Sequence, residues 1–162
     1  IDNYCGSTLQ RNPTIKDGFE FFKEHRLMSL VSKAFDKQLL EKGDVKQIEF
    51  IASNLANLIP AQSPVLIHGD LWSGNVHCDK NGSPCLVDPA TYWGWAEAEL
   101  AMTELFGSFN REFYESYESA SNIEKDWRER SPLYNLYHLL NHLILFGPSY
   151  LGQIKSVTER FT

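Results

Sequence analysis

Asp70, Asn75 and Asp88 are the residues of this 162-residue chain whose types and spacing point most directly to chemistry. They stand in His68-Gly69-Asp70-Leu71-Trp72-Ser73-Gly74-Asn75 and in Val87-Asp88-Pro89-Ala90, on either side of an expected hairpin. All three end in hard oxygens. Phosphoryl transfer asks for such a set: an in-line hydroxyl, a carboxylate near its proton, and metal ions spread over the phosphate oxygens. Asp70 reads as the catalytic base or hydroxyl positioner. Asn75 and Asp88 read as magnesium ligands, because Mg2+ takes one or two protein oxygens besides phosphates and waters. His68, two residues before Asp70, reads as loop support. A loop rich in Asp, Gly and Asn is by itself most often a turn. Context lifts this one above that: an apolar strand (Val65-Leu66-Ile67), the loop, a hairpin, and a second apolar strand delivering an Asp.

The hairpin has a definite expected register. Asn81-Gly82 as a two-residue turn pairs Lys80 with Ser83, Asp79 with Pro84 and Cys78 with Cys85. Pairs alternate between hydrogen-bonded and non-hydrogen-bonded sites, so Pro84 falls where its missing N–H costs nothing. This register brings Cys78 and Cys85 face to face. A disulfide there is disfavoured by the hydrogen-bonded pairing and by a reducing compartment.

Outside residues 65–88 the pattern is helical. Helices are expected from Asp17 to about Leu27, capped by Thr14 or Asp17, and from Met28 to Leu40, stopped by Gly43. A third, capped by Asp44, carries Ile48, Ile51, Leu55 and Leu58 on one stripe and ends at Pro60. Others are expected over 95–106, 110–120, 131–146 and 148–161. The fold class is therefore mainly α with a small β-hairpin, the form expected of the C-terminal, catalytic lobe of a protein-kinase-like fold.

The step from Asp70 to Asn75, with Asp88 beyond it, follows the kinase catalytic loop H-R-D-x-x-x-x-N and its metal-binding aspartate. Gly69 stands where a protein kinase carries Arg, and only a short stretch separates Asp88 from the next helix, with no Ala-Pro-Glu after it. Both features point to small-molecule kinases. The runs at 68–75 and 87–90 resemble the fructosamine kinase (ketosamine-3-kinase) family, within the aminoglycoside-phosphotransferase-like kinases. The resemblance continues through Trp93-Gly94-Trp95-Ala96-Glu97-Ala98-Glu99-Leu100-Ala101-Met102, Glu104-Leu105-Phe106-Gly107, Leu140-Asn141-His142 and, near the start, Asp2-Asn3-Tyr4-Cys5-Gly6, Phe21-Phe22 and Arg26-Leu27. It implies ATP-dependent phosphorylation of the sugar 3-hydroxyl of fructosamines or related ketosamines, with ATP and Mg2+ as cofactors and a glycated small amine or glycated protein as substrate. Trp95 departs from the polar residue many members carry there. His142 resembles a position near the family's sugar pocket, although a His on an apolar helix face is often a core residue. Trp72, beside Asp70, offers an aromatic face for a sugar ring or a cationic amine, or else packs the loop. Glu97 and Glu99 read either as anchors for a substrate amine or the loop, or as dipole partners at a helix N-terminus.

Composition narrows the remaining classes. A 43% hydrophobic, 13% aromatic chain fits a packed fold, here one domain over 1–162. A net charge of −6 argues against nucleic acid as a partner. No run is long enough to span a membrane, no signal-peptide pattern opens the chain, and three cysteines suit reduced thiols, so a cytoplasmic location is expected. No G-x-G-x-x-G loop and no Val-Ala-Ile-Lys strand are present to cover the ATP phosphates. The chain is therefore expected to be a C-terminal lobe whose N-lobe partner is missing, and to be inactive alone. The rival readings are an aminoglycoside- or choline-type kinase, a non-catalytic kinase-like binding protein, and a metallophosphatase. The last is disfavoured because two-metal sites need more ligands than this loop offers.

Overall fold

The computed structural model describes residues 1–162. They form two compact units, Ile1–Gln62 with Leu136–Thr162, and Ser63–Asn135. No helix is long and apolar enough to cross a membrane.

The first unit opens on a hairpin the sequence reading did not anticipate. Strands β1 (Asn3–Cys5) and β2 (Thr8–Gln10) pair antiparallel with Cys5 opposite Thr8. The two-residue turn is Gly6-Ser7, and Gly6 takes φ +59°, the left-handed value a tight turn asks of its first central residue. Gly-Ser between two short runs was the available signal.

Helix α1 (Gly18–Phe22) starts where expected, with Asp17 Oδ1 accepting the N–H groups of Phe19 and Glu20 at 2.8 and 3.2 Å. The expected break after Leu27 does not occur. The chain widens into a π-helical segment, Lys23–Met28, and runs on into α2 (Ser29–Asp36). Arg26 and Leu27 turn inward within that segment. The Arg26 guanidinium lies over the rings of Phe21 and Tyr137 and donates to Arg11 O, His25 O and Asn12 Oδ1. Helix α2 also stops four residues before the expected Leu40, just ahead of Gln38 at φ +59°. Gly43 is not the stop. It lies in the first turn of α3 (Lys42–Ser53), whose N-cap is Glu41 rather than Asp44; Asp44 reaches back to accept the Glu41 N–H at 2.8 Å. A short α4 (Leu55–Leu58) follows, and Ile48, Ile51 and Leu55 form the buried stripe the periodicity predicts. The C-terminal helix α8 (Leu151–Phe161) is tied to α3 through Thr158 and Gln47 (3.1 Å) and Lys155 and Asp44 (3.5 Å).

In the second unit, β3 (Val65–Ile67) pairs antiparallel with β6 (Tyr92–Gly94), Leu66 opposite Trp93. The sequence shows the first strand but not the second, because a three-residue ladder closed across 24 intervening positions leaves no alternation to read. Between them lies the hairpin of β4 (Val76–Cys78) and β5 (Pro84–Leu86). Helices α5 (Ala96–Leu105) and α6 (Arg111–Ala120) follow as expected. Helix α7 runs from Trp127 to Phe146, about one turn earlier than expected, with Pro132 inside it. Its residues to Asn135 belong to this unit and those from Leu136 to the first. Helices α5 and α7 are locked by a buried pair: Arg130 donates twice to Glu97, at 2.7 and 2.8 Å, and Tyr134 Oη adds a third bond at 2.9 Å.

The register of the β4–β5 hairpin is shifted by one residue from expectation. Val76 pairs with Leu86, His77 with Cys85 and Cys78 with Pro84. A two-residue Asn-Gly turn needs φ > 0 at both residues, but only Gly82 takes it, at +81°. Instead Asp79 O accepts from Gly82 N (3.0 Å), Asp79 N donates to Ser83 O (2.9 Å), and Gly82 becomes the left-handed bulge of a three-residue loop. The Asp79 carboxylate selects this form by accepting the N–H groups of Asn81 and Ser83, each at 2.8 Å. Pro84 still falls at a non-hydrogen-bonded site, so that rule holds in both registers. The cysteines do not. His77 is opposite Cys85, so Cys78 and Cys85 point to opposite faces, and all three cysteines are free thiols.

Candidate functional site

The loop leaving β3 is bent by Gly69, at φ +82°. A Cβ at this position would collide with the carbonyl of Ala90, so the backbone of the Asp70 loop passes directly against the backbone just after Asp88. That contact explains why Gly replaces Arg here: any side chain would force the two strands of the site apart.

His68 ties the same two segments together. Its Nε2 lies 2.9 Å from Val87 O, and its Nδ1 lies 3.3 Å from Asp70 N. A carbonyl only accepts and an amide only donates, so the imidazole is the neutral Nε2–H tautomer, donating to Val87 and accepting from Asp70. From α5, the Glu99 carboxylate accepts the N–H of His68 at 2.6 Å and that of Gly69 at 2.9 Å. Burial pushes the Glu99 carboxyl above the usual carboxylate range; the two N–H bonds offset this only in part.

Asn75 closes the loop. Its Nδ2 donates to Asp70 O at 2.9 Å, and its backbone O accepts from Val87 N at 3.0 Å. The first bond fixes the amide orientation and leaves Oδ1 as the atom available for a metal. The second sets Asn75 opposite Val87, one residue before Asp88. Asp88 is exposed and takes φ +50°, a left-handed value that Asp tolerates better than most residues. One amide oxygen and one solvent-facing carboxylate are hard donors of the kind magnesium prefers, and few enough to leave room for phosphates and water. The donor set fits the ion.

Of the other residues singled out, Trp72 is 37% exposed, lies on the backbone of Gly74, and meets Phe106 edge-on at 6.5 Å between ring centroids. It packs the loop and still presents part of its indole to solvent. Asp70, Asn75, Asp88, His68 and Trp72 all belong to the second unit, whereas His142 belongs to the first. There His142 Nδ1 donates to His138 O at 2.8 Å, and its ring packs against Phe146 and Tyr150. The two glutamates left open by the sequence separate cleanly: Glu97 binds Arg130 and Tyr134, and Glu99 binds the loop. Sequence reading did not assign Ala90, whose part is played by its carbonyl and so is independent of side-chain type.

The fold is shared with known proteins. The fold matches the crystal structure of a Thermobifida fusca protein described as a "putative fructosamine-3-kinase", with a TM-score of 0.91 at 33% identity over 98% of this chain and 55% of that one. A second, from Haemophilus somnus, matches with a TM-score of 0.86 at 26% identity. In both, the shared architecture is helix-rich with small sheets. A family model described as fructosamine kinase matches residues 1–162, and the chain belongs to that family. Among its relatives, an Enterococcus faecium protein named a "probable ketoamine kinase" is 41% identical over 99% of this chain and 58% of its own length. A Vibrio parahaemolyticus protein of the same description is 48% identical over 94% of this chain and 52% of its own. An Oryza sativa protein named protein-ribulosamine 3-kinase, chloroplastic, is 38% identical over 99% of this chain. The chain spans about half the length of these curated relatives.

Proposed function

We propose that this chain carries the catalytic loop of an ATP-dependent kinase that phosphorylates the sugar 3-hydroxyl of ketosamines, free or on protein. The observation that carries the reading is the Asn75 amide. Its bond to Asp70 O leaves Oδ1 free for a metal, and its ladder bond to Val87 ties the loop to the segment that carries Asp88. In this reading Asp70 orients the substrate hydroxyl and accepts its proton as the oxygen bonds to the γ-phosphorus and the bond to ADP breaks. Asn75 Oδ1 and Asp88 would hold Mg2+, which when bound neutralises phosphate charge. His68 keeps Asp70 and the Asp88 strand in register. The exposed part of Trp72 is the surface we assign to the sugar or its amine, and His142 a lesser substrate contact. Family membership and the relatives' names support the substrate class.

We further propose that the chain is the C-terminal lobe of the kinase fold and works with an N-terminal lobe that covers the ATP phosphates. The exposed apolar side chains of Leu86 and Val87, beside the site, support this, since they offer surface for a nucleotide or a neighbouring lobe. Nucleotide affinity of the chain alone equal to that of the intact enzyme would remove this second proposal.

The direct test is ATP consumption by the intact enzyme with magnesium, offered fructoselysine, an aminoglycoside or choline, with Asp70→Asn as control. Turnover with fructoselysine alone, lost in the variant, is the expected result. Turnover only with another substrate keeps the kinase and discards the ketosamine; no turnover with any leaves a binding protein.

A further inference from the structure

We propose that Trp72 and Phe106 form an aromatic corner that reads the positive charge of the ketosamine nitrogen, with Phe106 as a specificity-determining residue. Resting on the kinase reading above, this assignment commits the exposed part of Trp72 to the amine rather than to the sugar. The two rings stand at 79° with their centroids 6.5 Å apart. A cation seated in that angle can lie within about 6 Å of both centroids, the range over which a ring face attracts it. Trp72 is exposed and Phe106 half-buried, so both rings keep surface for a ligand. The ketosamine nitrogen is a secondary amine, protonated at neutral pH and only four bonds from the 3-oxygen. A loop that presents Asp70 to that oxygen therefore meets the charge close by, and Trp72 follows Asp70 by two residues.

The indole is seated, not loose. A Cβ on Gly74 would stand 2.4, 2.3 and 2.7 Å from three consecutive atoms of its six-membered ring, Cζ2, Cη2 and Cζ3. A point so nearly equidistant from three neighbouring ring atoms lies over the ring face, not beyond its edge. The ring thus rests face-down on Gly74, and the missing side chain makes the room. Gly74 backs one face of the indole, and Phe106, at the C-terminal end of α5, bounds it edge-on. Rings fixed before the ligand arrives cost little further ordering on binding. Carboxylates are the usual partners of an amine, and α5 carries three. Each is already bonded: Glu97 to Arg130 and Tyr134, Glu99 to the amides of His68 and Gly69, and Glu104 to Arg128. A ring face attracts a cation without adding negative charge beside the phosphates. The simpler role, packing the loop against α5, accounts for the ring contact but gives no preference for a charged substrate over a neutral one.

Fructoselysine carries the charged nitrogen and fructose is the same sugar without it, so the ratio of their kcat/KM values in the intact enzyme reads the corner. Phe106→Leu keeps an apolar side chain and removes the ring. It is expected to cut the preference for fructoselysine about fivefold to twentyfold, through KM, with the KM for ATP within about twofold of wild type. Phe106→Tyr keeps the ring and is expected to keep the preference. Gly74→Ala leaves both rings in the chain but drives the indole off its seat, and is expected to lower the preference as Phe106→Leu does. A Phe106 that only packs the loop would cost both substrates alike and leave the ratio in place; that result overturns the inference. So does a preference lost equally in Phe106→Leu and Phe106→Tyr, or one untouched by Gly74→Ala. The corner is also read without turnover, by the NMR shift of the Trp72 indole N–H when the intact protein is titrated with tetramethylammonium chloride and, separately, with sodium chloride. A shift specific to tetramethylammonium is expected in the wild type and in Phe106→Tyr but not in Phe106→Leu. An equal response to the two salts in the wild type overturns the inference. An enzyme that shows the specific shift but is inert toward every ketosamine overturns the kinase reading instead.

Discussion

Asp88 combines two demands at one position. Its carboxylate is a candidate metal ligand, and its backbone takes a left-handed φ of +50° that disfavours most residues. Asn tolerates that conformation as well as Asp does, whereas a residue such as Ala pays about 1 kcal/mol or more for it. The two demands therefore come apart by mutation. Asp88→Asn is expected to leave the urea unfolding midpoint of the protein in place while abolishing magnesium-dependent turnover; Asp88→Ala is expected to lower the midpoint as well. A midpoint lowered equally by both would show that the carboxylate, not the backbone, stabilises this turn. At the same scale, the type of residue at 68, 70, 75 and 88 was legible in the sequence, because an oxygen donor or an imidazole declares its chemistry. Gly69 was legible only as a departure from protein kinases. Its reason, the carbonyl of Ala90 filling the space of a Cβ, is a backbone contact that no residue name announces.

Between elements, the helices hold the loop in place. Glu97 is bound by Arg130 and Tyr134 in a buried pair, and the Arg130 guanidinium is pushed further above its ordinary value by these bonds and by Asp126. Removing one partner of such a pair leaves a buried charge short of its counter-charge, at a cost of about 3 kcal/mol or more. Glu97→Gln is accordingly expected to lower unfolding free energy by roughly 3 kcal/mol in urea titrations; a change under about 0.5 kcal/mol would mean that Asp126 and Glu124 suffice for Arg130. The hairpin makes a second prediction at this scale. Cys78 and Cys85 point to opposite faces, so oxidation is expected to give no Cys78–Cys85 disulfide in non-reducing peptide mapping, and finding that link would require a register slip. Helical stripes such as Ile48, Ile51 and Leu55 were readable because a 3.6-residue period repeats. The hairpin register was not, because the Asn-Gly preference and the Asp79 side chain compete locally, and the second wins.

For the molecule as a whole, acid is expected to destabilise the first unit through His138. Burial, then the neighbouring His142 and Arg26, pushes its pKa down to about 3, well below the 6.5 of a free imidazole. Between those values the unfolded chain takes up a proton that the folded one refuses. Stability from this group is thus intact above about pH 6.5 and falls as the pH drops toward 3, by about 1.4 kcal/mol per pH unit. Urea midpoints measured from pH 7 to pH 4 are expected to fall more steeply in the wild type than in His138→Gln. Parallel slopes would mean that His138 is protonated within the fold.

The sequence by itself determined the chemistry on offer: which residues carry oxygens, how far apart they lie along the chain, and which helical faces turn inward. Those properties are local, and local periodicity and turn preference encode them. The tertiary structure alone decided how the offer is organised. The β3–β6 ladder, the approach of Gly69 to Ala90 and the reach of Glu99 to the His68 and Gly69 amides all join residues some 20 to 30 positions apart. Each such contact has backbone donors or acceptors common to every residue on at least one side, so residue identity does not name the partner.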